Sequence, residues 1–543
     1  MNRVLVIGLD GATFAILRPL VERGRLPNLA ELLAKSASGT LLSTIPPVTP
    51  AAWTTFFTGK NPGIHGIFDF QRLDFNEYRF LPLDVHGHRE KTIWEILGES
   101  GLRSIVWDVP FTYPPRPFNG WMLAGYGAPR TSGAVLTFPS DLAEQIPAEL
   151  QSEMRLAQPE VRFERSRAFI REWQTIMAGR ARLLKWLIAE QAWALFLFVF
   201  SITDNLAHVF WTYCEPTHPN FHRPEAEEYR EAFYRSYETC DEILGELRTA
   251  AGVETTTLVI SDHGFGSVRP RQYLFERLAR GGYLRYRMAG GSRRRRVLEA
   301  ATGFYLRHPA LREWYKGLRG GLRRGLNRSI RSAGLLPESG SIDQAGSSII
   351  PSHFGLGMWA NSKDRFPGGL IAEEVKGPFL AGLESYLYDD LDPYTHKPVI
   401  AAIHDGAQIY RGPFAQNAPD RIIEYADTFR FAEEGPGNNP FTEGGHTPHG
   451  ILLAGGPGIR AGKVEGGALA DLAPTILHLL GQPIPPDMDG RVIAELFTPA
   501  SLTVRPIRIG REPARWDSRP EDPGLTPEEA RDVEEQLRRL GYV

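Results

Sequence analysis

The chain is poor in cysteine and has no long apolar run. Only Cys214 and Cys240 occur in 543 residues, too few for a disulfide framework or a four-thiolate zinc site, and we interpret both as buried apolar side chains. The longest apolar run, Trp193 to Ile202, is about half of the roughly 20 residues that a membrane-spanning helix needs. The apolar start of the chain is brief and soon reaches Asp10, which does not fit a secretory signal. We therefore expect no transmembrane segment and a cytoplasmic protein.

The chain also has little excess charge of either sign, but its basic residues are unevenly distributed along the sequence. The composition, with 42% hydrophobic and 23% charged residues and a net charge of −3, excludes a disordered or fibrous protein. Residues 293–331 nevertheless carry twelve Lys and Arg against two Glu. Two interpretations of this basic segment stay open: a solvated insert, or a surface that contacts anionic lipid or nucleic acid.

Three apolar segments rich in β-branched residues or Phe each lead to an aspartate. Val4 to Asp10 is followed much later by Ala194 to Thr203, which leads to Asp204, and by Thr255 to Ser261, which leads to Asp262. Such continuous apolar runs are typical of parallel strands buried on both faces. Because ligands gather at the carboxyl ends of such strands, the three aspartates are expected at one sheet edge. The sequence predicts an α/β fold with a mostly parallel central sheet and helices on both faces.

The remaining pattern predicts an interrupted catalytic core. Gly450 to Ala454 is expected to be a strand of the returning core, and Pro527 to Leu540 a short amphipathic helix with Thr526 as its N-cap. Irregular hydrophobicity after residue 280 indicates an insertion. We predict an N-terminal part of the core at 1–279, an insert or cap at 280–395 that includes the basic segment, a C-terminal part of the core at 396–500 and a peripheral tail at 501–543.

A hydroxyl is expected at the start of a helix near residue 49. Pro47 and the pair Thr49-Pro50 precede the apolar stretch Ala51 to Phe57, which predicts a helix with Thr49 as N-cap and Pro50 as its first residue. A helix amino end favours a bound phosphoryl group, so Thr49 is a candidate nucleophile. The alternative is an ordinary threonine cap.

Histidines accompany the three aspartates in the sequence. Zinc binds imidazole nitrogen and carboxylate oxygen, and like-charged carboxylates at one sheet edge repel each other unless a cation lies among them. Each Asp and His pair alone also fits a salt-bridged aspartate beside a core histidine; their joint placement after apolar strands favours two metal sites, which suit displacement at phosphorus. The candidate ligands are Asp10, Asp204, His208, Asp262, His263 and His446.

Several motifs, taken in order, resemble a known family. Residues 1–70, 195–270 and 395–495 resemble the alkaline phosphatase superfamily, and specifically its type I phosphodiesterase and nucleotide pyrophosphatase branch. The matching segments read VIGLDGAT, PPVTPAAWTTFFTGKNPGIHGI, SITDNLAHVFW, VISDHGFG, GGHTPHGILLAGGPGI and DLAPTILHLLGQPIPPDMDG. The resemblance covers nearly half of the chain.

The resemblance implies a role for each candidate residue. One metal ion would be held by Asp10, Asp262 and His263 and would also meet the Thr49 oxygen, and the other would be held by Asp204, His208 and His446. The ions would be zinc, with manganese as the alternative. The implied reaction is hydrolysis of a small phosphoester through a covalent phosphothreonine at Thr49.

The chain departs from the family pattern at one position. Nucleotide pyrophosphatases of the family place an Asn that binds a phosphoryl oxygen after the Asp of their HGI-x-D-N run, whereas this chain reads HGIFDF with Phe70 at that place. This departure weakens the expectation that the substrate is a nucleotide. A phosphomonoesterase or phosphomutase of the superfamily, and a non-catalytic binding protein that uses the basic segment, remain as alternatives. Asp108 and Tyr113 either line the substrate pocket or belong to a simple proline-rich turn.

Overall fold

The structure is a computed structural model that describes residues 2–83, 90–154, 166–268, 271–287, 342–392, 396–426, 443–517 and 524–540. The basic segment 293–331 lies outside the described residues. No helix in the described ranges combines the length and apolar character needed to cross a bilayer.

The helices and strands follow one another along the chain in the order predicted for an α/β core. The strands are β1 (Arg3–Leu9), β2 (Ala37–Leu42), β3 (Gln71–Asp74), β4 (Arg79–Pro82), β5 (Ser104–Val109), β6 (Gly120–Ala124), β7 (Thr137–Phe138), β8 (Leu195–Phe200), β9 (Thr255–Ile260), β10 (Gly264–Val268), β11 (Ile349–Pro351), β12 (Gly357–Ala360), β13 (Ile400–Asp405), β14 (Arg421–Tyr425), β15 (Glu443–Thr447), β16 (His449–Gly455), β17 (Gly462–Lys463) and β18 (Gly467–Ala468). The helices are α1 (Phe14–Glu22), α2 (Pro27–Lys35), α3 (Thr49–Thr58), α4 (Pro62–His65), α5 (Ile93–Glu99), α6 (Ala148–Gln151), α7 (Ser166–Glu190), α8 (Ile202–Cys214), α9 (Ala226–Ala251), α10 (Arg271–Arg280), α11 (Glu373–Tyr388), α12 (Gly406–Ile409), α13 (Leu472–Leu479), α14 (Pro499–Val504) and α15 (Pro527–Leu540).

A mostly parallel sheet forms the centre of the molecule, as predicted. Its strand order is β17-β2-β16-β9-β1-β8-β5-β6-β7, with β18 also paired to β2. The five strands from β9 to β6 in this order run parallel to their neighbours. Side chains of β1 alternate between the two faces: Leu5 and Ile7 pack in the apolar layer with α7 and α9, and Val4 and Val6 in the layer with α3 and α13. Alternation across a strand thus explains why its sequence is apolar throughout.

One predicted strand is shorter than expected, and another is present with a direction that the sequence did not specify. The strand predicted up to Thr203 ends at Phe200, and Asp204 lies in the first turn of α8. The helix dipole stabilises an acidic side chain at this position. The strand predicted at Gly450 is present as β16, but it runs antiparallel to both β9 and β2. The sheet therefore departs from the parallel arrangement on both sides of its five parallel strands, at β16 and at β7, which runs antiparallel to β6.

A second, antiparallel sheet accounts for the region after residue 342. Its order is β11-β12-β14-β13, so β13 and β14, placed by the sequence in the returning core, belong to this small sheet instead. Ile400 and Ile423 pack with Leu380 and Leu383 of α11, which buries one face of the small sheet. The chain returns to the central sheet only at β16.

The C-terminal segment packs against the core, which corrects the expectation of a peripheral tail. The amide of Glu529 donates to Oγ1 of Thr526 at 3.3 Å, as predicted for a capped helix α15. Val533 and Leu537 of α15 are buried in an apolar cluster that includes Val48 and Phe70. The apolar side of this amphipathic helix is therefore buried. The polar, proline-rich sequence around the helix does not indicate this contact with the core.

A buried lysine fixes the preceding part of the C-terminal segment. Lys60 is 1% exposed, and its Nζ donates to the carboxylate of Glu90, to Oδ2 of Asp487 at 2.6 Å and to the carbonyl of Ala514 at 2.9 Å. Two carboxylates and one carbonyl therefore compensate a charge that would otherwise be costly to bury.

Candidate active site

The three aspartates converge at the carboxyl edge of the central sheet. β1 pairs on one side with β8 and on the other with β9, so the loops that follow these strands are neighbours. Asp10, Asp204 and Asp262 are exposed by 2%, 3% and 0%, respectively. Parallel strands thus bring together three carboxylates that are far apart in the sequence, as the sequence predicts.

The first predicted ligand set is assembled around His263. Potential ligand atoms of Asp10, Asp262 and His263 all lie within 4.8 Å of one another. Nε2 of His263 is 3.6 Å from Oδ1 of Asp10 and 3.3 Å from Oδ2 of Asp262. Oγ1 of Thr49 lies 3.3 Å from the same Nε2. The candidate nucleophile therefore borders this group.

The second predicted ligand set is assembled around Asp204. Its Oδ1 lies 3.3 Å from Nε2 of His446 and 3.5 Å from Nε2 of His208, and these two nitrogens are 2.9 Å apart. Ligand atoms of Asp204, His263 and His446 also lie within 4.8 Å of one another. The rings of His263 and His446 stack with centroids 3.6 Å apart. The two sets therefore adjoin and form one cluster.

Backbone carbonyls fix the orientation of two imidazoles. Nδ1 of His263 lies 2.9 Å from the carbonyl of Gly264, and Nδ1 of His446 lies 2.9 Å from the carbonyl of Pro47. Because a carbonyl can only accept, each Nδ1 carries the proton and each Nε2 presents a lone pair to the cluster. Metal-bound histidines use this same outer hydrogen bond.

The carboxylates also fit a cation. Oδ1 of Asp10 and Oδ2 of Asp262 are buried and accept no hydrogen bond from the described part of the chain, which is costly for carboxylate oxygens unless a cation compensates them. Oxygen and imidazole nitrogen together form a donor set that suits zinc or manganese. The residues present therefore fit divalent metal ions.

Burial and mutual repulsion shift the titration of the cluster. Burial, and then the Asp262 and Asp204 carboxylates, raise the pKa of Asp10 well above its usual value; burial, and then Asp204, raise the pKa of Asp262 to about 8. Burial alone would also raise the pKa of Asp204, but the imidazoles of His208 and His446 outweigh it and hold that pKa well below its usual value. This concentration of negative charge is what bound cations neutralise.

Two contacts to these carboxylates were not anticipated from the sequence. Nε1 of Trp53 donates to Oδ2 of Asp10 at 3.2 Å, and the amide of Gly11 donates to Oδ1 of Asp262 at 3.2 Å. Gly11 has a φ of +65°, and a Cβ there would approach Oδ1 of Asp204 to 2.9 Å, so only glycine fits. The four-residue spacing from Thr49 to Trp53 was the available signal, because it places both on one face of α3.

Thr49 itself is placed differently from the prediction. Val48 is the N-cap of α3 and Thr49 is the first helical residue, and the cap makes no side-chain hydrogen bond. The amide of Ala52 donates to the carbonyl of Val48 at 2.9 Å, which starts the helix one residue earlier than expected. Oγ1 of Thr49 faces His263 instead of capping the helix.

Phe70 forms an apolar wall near the cluster. It is 1% exposed, and its ring lies 6.0 Å from that of Phe111 and 5.7 Å from that of Phe354. The ring of Phe354 is in turn 4.9 Å from that of His446. The position that the resemblance assigns to a phosphate-binding Asn is therefore filled by packed aromatic rings.

The fold and the cluster define an α/β protein whose mostly parallel sheet gathers buried carboxylates and imidazoles at its carboxyl edge. A model of the type I phosphodiesterase / nucleotide pyrophosphatase family matches residues 4–312, which is more than half of the chain. The chain belongs to this family.

Curated relatives match only a short segment. A 2,3-bisphosphoglycerate-independent phosphoglycerate mutase of Agrobacterium fabrum is 43% identical over 63 residues, which are 11% of this chain and 12% of the mutase. The enzyme of the same name from Cereibacter sphaeroides is 44% identical over 62 residues, 10% of this chain and 12% of that protein. The matched segment thus spans about one eighth of either relative.

Solved structures match over most of the chain at low identity. Murine ectonucleotide pyrophosphatase / phosphodiesterase 5, in an inactive form in complex with AMP, has a TM-score of 0.50 and 12% identity, over 92% of this chain and 100% of that one. Phosphonoacetate hydrolase from Sinorhizobium meliloti in complex with phosphonoformate has a TM-score of 0.48 and 13% identity, over 88% of this chain and 95% of that one. The murine structure supports the fold assignment.

Proposed function

We propose that this chain hydrolyses phosphoric esters, preferring diesters, at a two-metal site with Thr49 as the covalent nucleophile. The observation that carries the proposal is the convergence of a buried threonine hydroxyl, 3.3 Å from Nε2 of His263, with two adjoining sets of Asp and His ligands. Family membership supports the reaction class.

Each ligand set would hold one divalent cation, zinc or alternatively manganese. Asp10, Asp262 and His263 would form one site, bordered by Oγ1 of Thr49, and the second site would comprise Asp204, His208 and His446. Cations held by these residues would lower the pKa of an attacking oxygen and would stabilise charge on the leaving oxygen.

The side chains of the cluster would place Oγ1 of Thr49 for attack on phosphorus in two steps. Oγ1 of Thr49 attacks phosphorus, the bond from phosphorus to the leaving oxygen breaks, and the Thr49 proton passes through solvent to that oxygen, so that an alcohol departs. Water then cleaves the phosphothreonine ester and restores the hydroxyl. The amino end of α3 favours the negative charge of the phosphoryl group at Thr49. The hydrogen bond from Trp53 to Oδ2 of Asp10 holds that carboxylate toward the cluster.

The experiment that tests the proposal combines metal content with activity. Plasma mass spectrometry on the purified protein is expected to give about two transition-metal ions per chain, and chelation is expected to abolish hydrolysis of bis-p-nitrophenyl phosphate until zinc or manganese is restored. A metal-free, inactive protein that neither ion restores would overturn the proposal and leave the basic segment as the candidate working surface.

A matched monoester separates the related alternatives. Hydrolysis of p-nitrophenyl phosphate is expected to be slower than that of the diester under the same conditions. If the monoester is turned over far faster, the protein is a phosphomonoesterase or phosphomutase and the diester preference is wrong, although the same ligand sets would still hold the metal.

A further inference from the structure

A cavity lies beside the cluster, at the carboxyl ends of β5, β6 and β8. Its volume is about 60 Å³, and Trp173, Met177 and Phe200 contribute to its apolar wall. This volume exceeds what a single water molecule requires. Polar side chains also line it: Asp108, Tyr126, Arg130, Arg180 and Gln536.

The cavity is adjacent to the proposed reaction centre. Ser201 and Ile202 line it, and Asp204 follows two residues later in the first turn of α8. Tyr126, another lining residue, packs in the same apolar cluster as Val48 and Ala51, which flank Thr49 closely in the sequence. The cavity therefore lies at the same sheet edge as the cluster.

The charged groups of the cavity are held in a specific arrangement. Arg180 is 4% exposed, and its Nη1 lies 3.3 Å from Oδ2 of Asp108. Asp108 has a φ of +55°, which is uncommon for a residue with a side chain, although aspartate adopts it more readily than most. A Cβ on Gly125 would lie 2.3 Å from the backbone of Asp108, so glycine is what permits this loop conformation. Two arginines and one aspartate thus line the cavity, with the carboxylate of Asp532 close to Arg130.

Helix α15 borders the cavity through Gln536. Nε2 of Gln536 donates to the carbonyl of Ala128 at 3.3 Å, and Oδ2 of Asp532 accepts from the amide of Arg130 at 2.7 Å. These contacts attach the helix to the loop that follows β6. The helix thereby limits the space available to a bound group.

We propose that this cavity binds an anionic group, a carboxylate or a phosphate, carried by the alcohol part of the phosphoester, and that Arg180 determines this specificity. The inference rests on the proposed function and names its substrate class. A buried guanidinium presents a planar fork of donors that matches such oxyanions. Asp108 partly neutralises Arg180 and fixes its position, and Arg130 adds positive charge at the exposed rim.

The test uses p-nitrophenyl phosphodiesters of four alcohols: propanol, 3-hydroxypropanoate, 2-hydroxyethyl phosphate and choline. Release of p-nitrophenol gives kcat/KM for each ester. The metal-loaded wild-type protein is expected to prefer an anionic ester over the propyl ester by about tenfold or more, the size expected for a charged hydrogen bond. The carboxylate and phosphate esters show which anion fits.

Variants of the ion pair give opposite expected results. Arg180→Gln is expected to lower kcat/KM on the anionic esters until the ratio to the propyl ester, measured with the same variant, is about one. Asp108→Asn removes the competing negative charge and is expected to increase the preference. Arg182→Gln is the matched control, because Arg182 lies on the same helix with an exposed side chain paired to Glu153; its ratio should equal that of the wild type.

Each remaining outcome has a defined meaning. Equal rates on the propyl and anionic esters, or a preference for the choline ester, would overturn the subsite while leaving the hydrolase intact. A decrease by the same factor on all four esters in Asp108→Asn would assign the ion pair a purely structural role. If Arg180→Gln does not fold, the double variant with Asp108→Asn removes both charges together and is expected to show no anionic preference. Hydrolysis of none of the esters would refute the proposed function itself.

Discussion

Replacement of the Thr49 hydroxyl is the most direct test of the proposed chemistry. The side chain is 2% exposed, and its Oγ1 has a contact at 3.3 Å to Nε2 of His263. Thr49→Val keeps the shape of the side chain and removes this hydroxyl. The free energy of unfolding should therefore decrease by only about 1 kcal/mol, the net contribution of an ordinary hydrogen bond. Loss of the nucleophile should instead reduce kcat/KM by a factor of about 1,000 or more, equivalent to roughly 4 kcal/mol in the barrier.

The assay pairs p-nitrophenol release from a diester with metal analysis and thermal unfolding of the same samples. Thr49→Ser is the control, because it retains a hydroxyl and should keep activity within about tenfold of wild type. Metal content should be unchanged in both variants, because six other side chains supply the ligands. Retention of more than about a tenth of wild-type kcat/KM in Thr49→Val would refute covalent catalysis by this residue.

Three other substitutions test the second ligand set, the contact from Trp53 and the buried lysine. His446→Ala should reduce bound metal by about one ion per chain and suppress hydrolysis, measured by plasma mass spectrometry; a full metal complement would contradict the second ligand set. Trp53→Phe removes the donor to Asp10 and should weaken metal binding about tenfold or more, measured by competition with a chromogenic chelator; unchanged affinity would deny the contact a positioning role. Lys60→Met breaks buried ion pairs and should lower the free energy of unfolding by about 3–5 kcal/mol, whereas Lys35→Met at an exposed pair should lower it by under about 1 kcal/mol; equal losses in urea denaturation would show that burial of Lys60 is unimportant.

The central sheet and the convergence of the aspartates were predictable from sequence. Apolar strands buried on both faces have a clear signature, and parallel pairing requires their carboxyl ends to meet at one edge. Only local features then had to be added: His263 adjoins Asp262, and His208 lies one helical turn after Asp204. The individual roles in metal binding remain predictions, because proximity alone identifies candidate ligands but not bound ions.

Features that depend on tertiary packing were not predictable. Thr49 was expected to cap its helix because Thr-Pro is a common helix start, but its hydroxyl faces His263 in the folded chain. The amphipathic pattern of α15 was visible, but the sequence did not show that its apolar residues Val533 and Leu537 pack against the core. Strands β13 and β14 resemble core strands in composition, and their assignment to the small sheet depends on packing against α11. Local patterns do not determine which surface an apolar face will cover.

The aromatic wall and the charged cavity together define the substrate range of the proposed site. A family member with Asn at position 70 could donate a hydrogen bond to a phosphoryl oxygen, but Phe70 is packed against Phe111 and Phe354 and offers no donor. In the proposed site, substrate affinity would then depend on the bound cations, the amino end of α3 and contacts to the rest of the substrate. Arg180 is the buried cationic side chain that lines the cavity beside the cluster. Loss of a polar contact at phosphorus is thus compatible with efficient hydrolysis when an anionic substituent binds in that cavity, because binding energy remote from the reacting atom can be used to orient it.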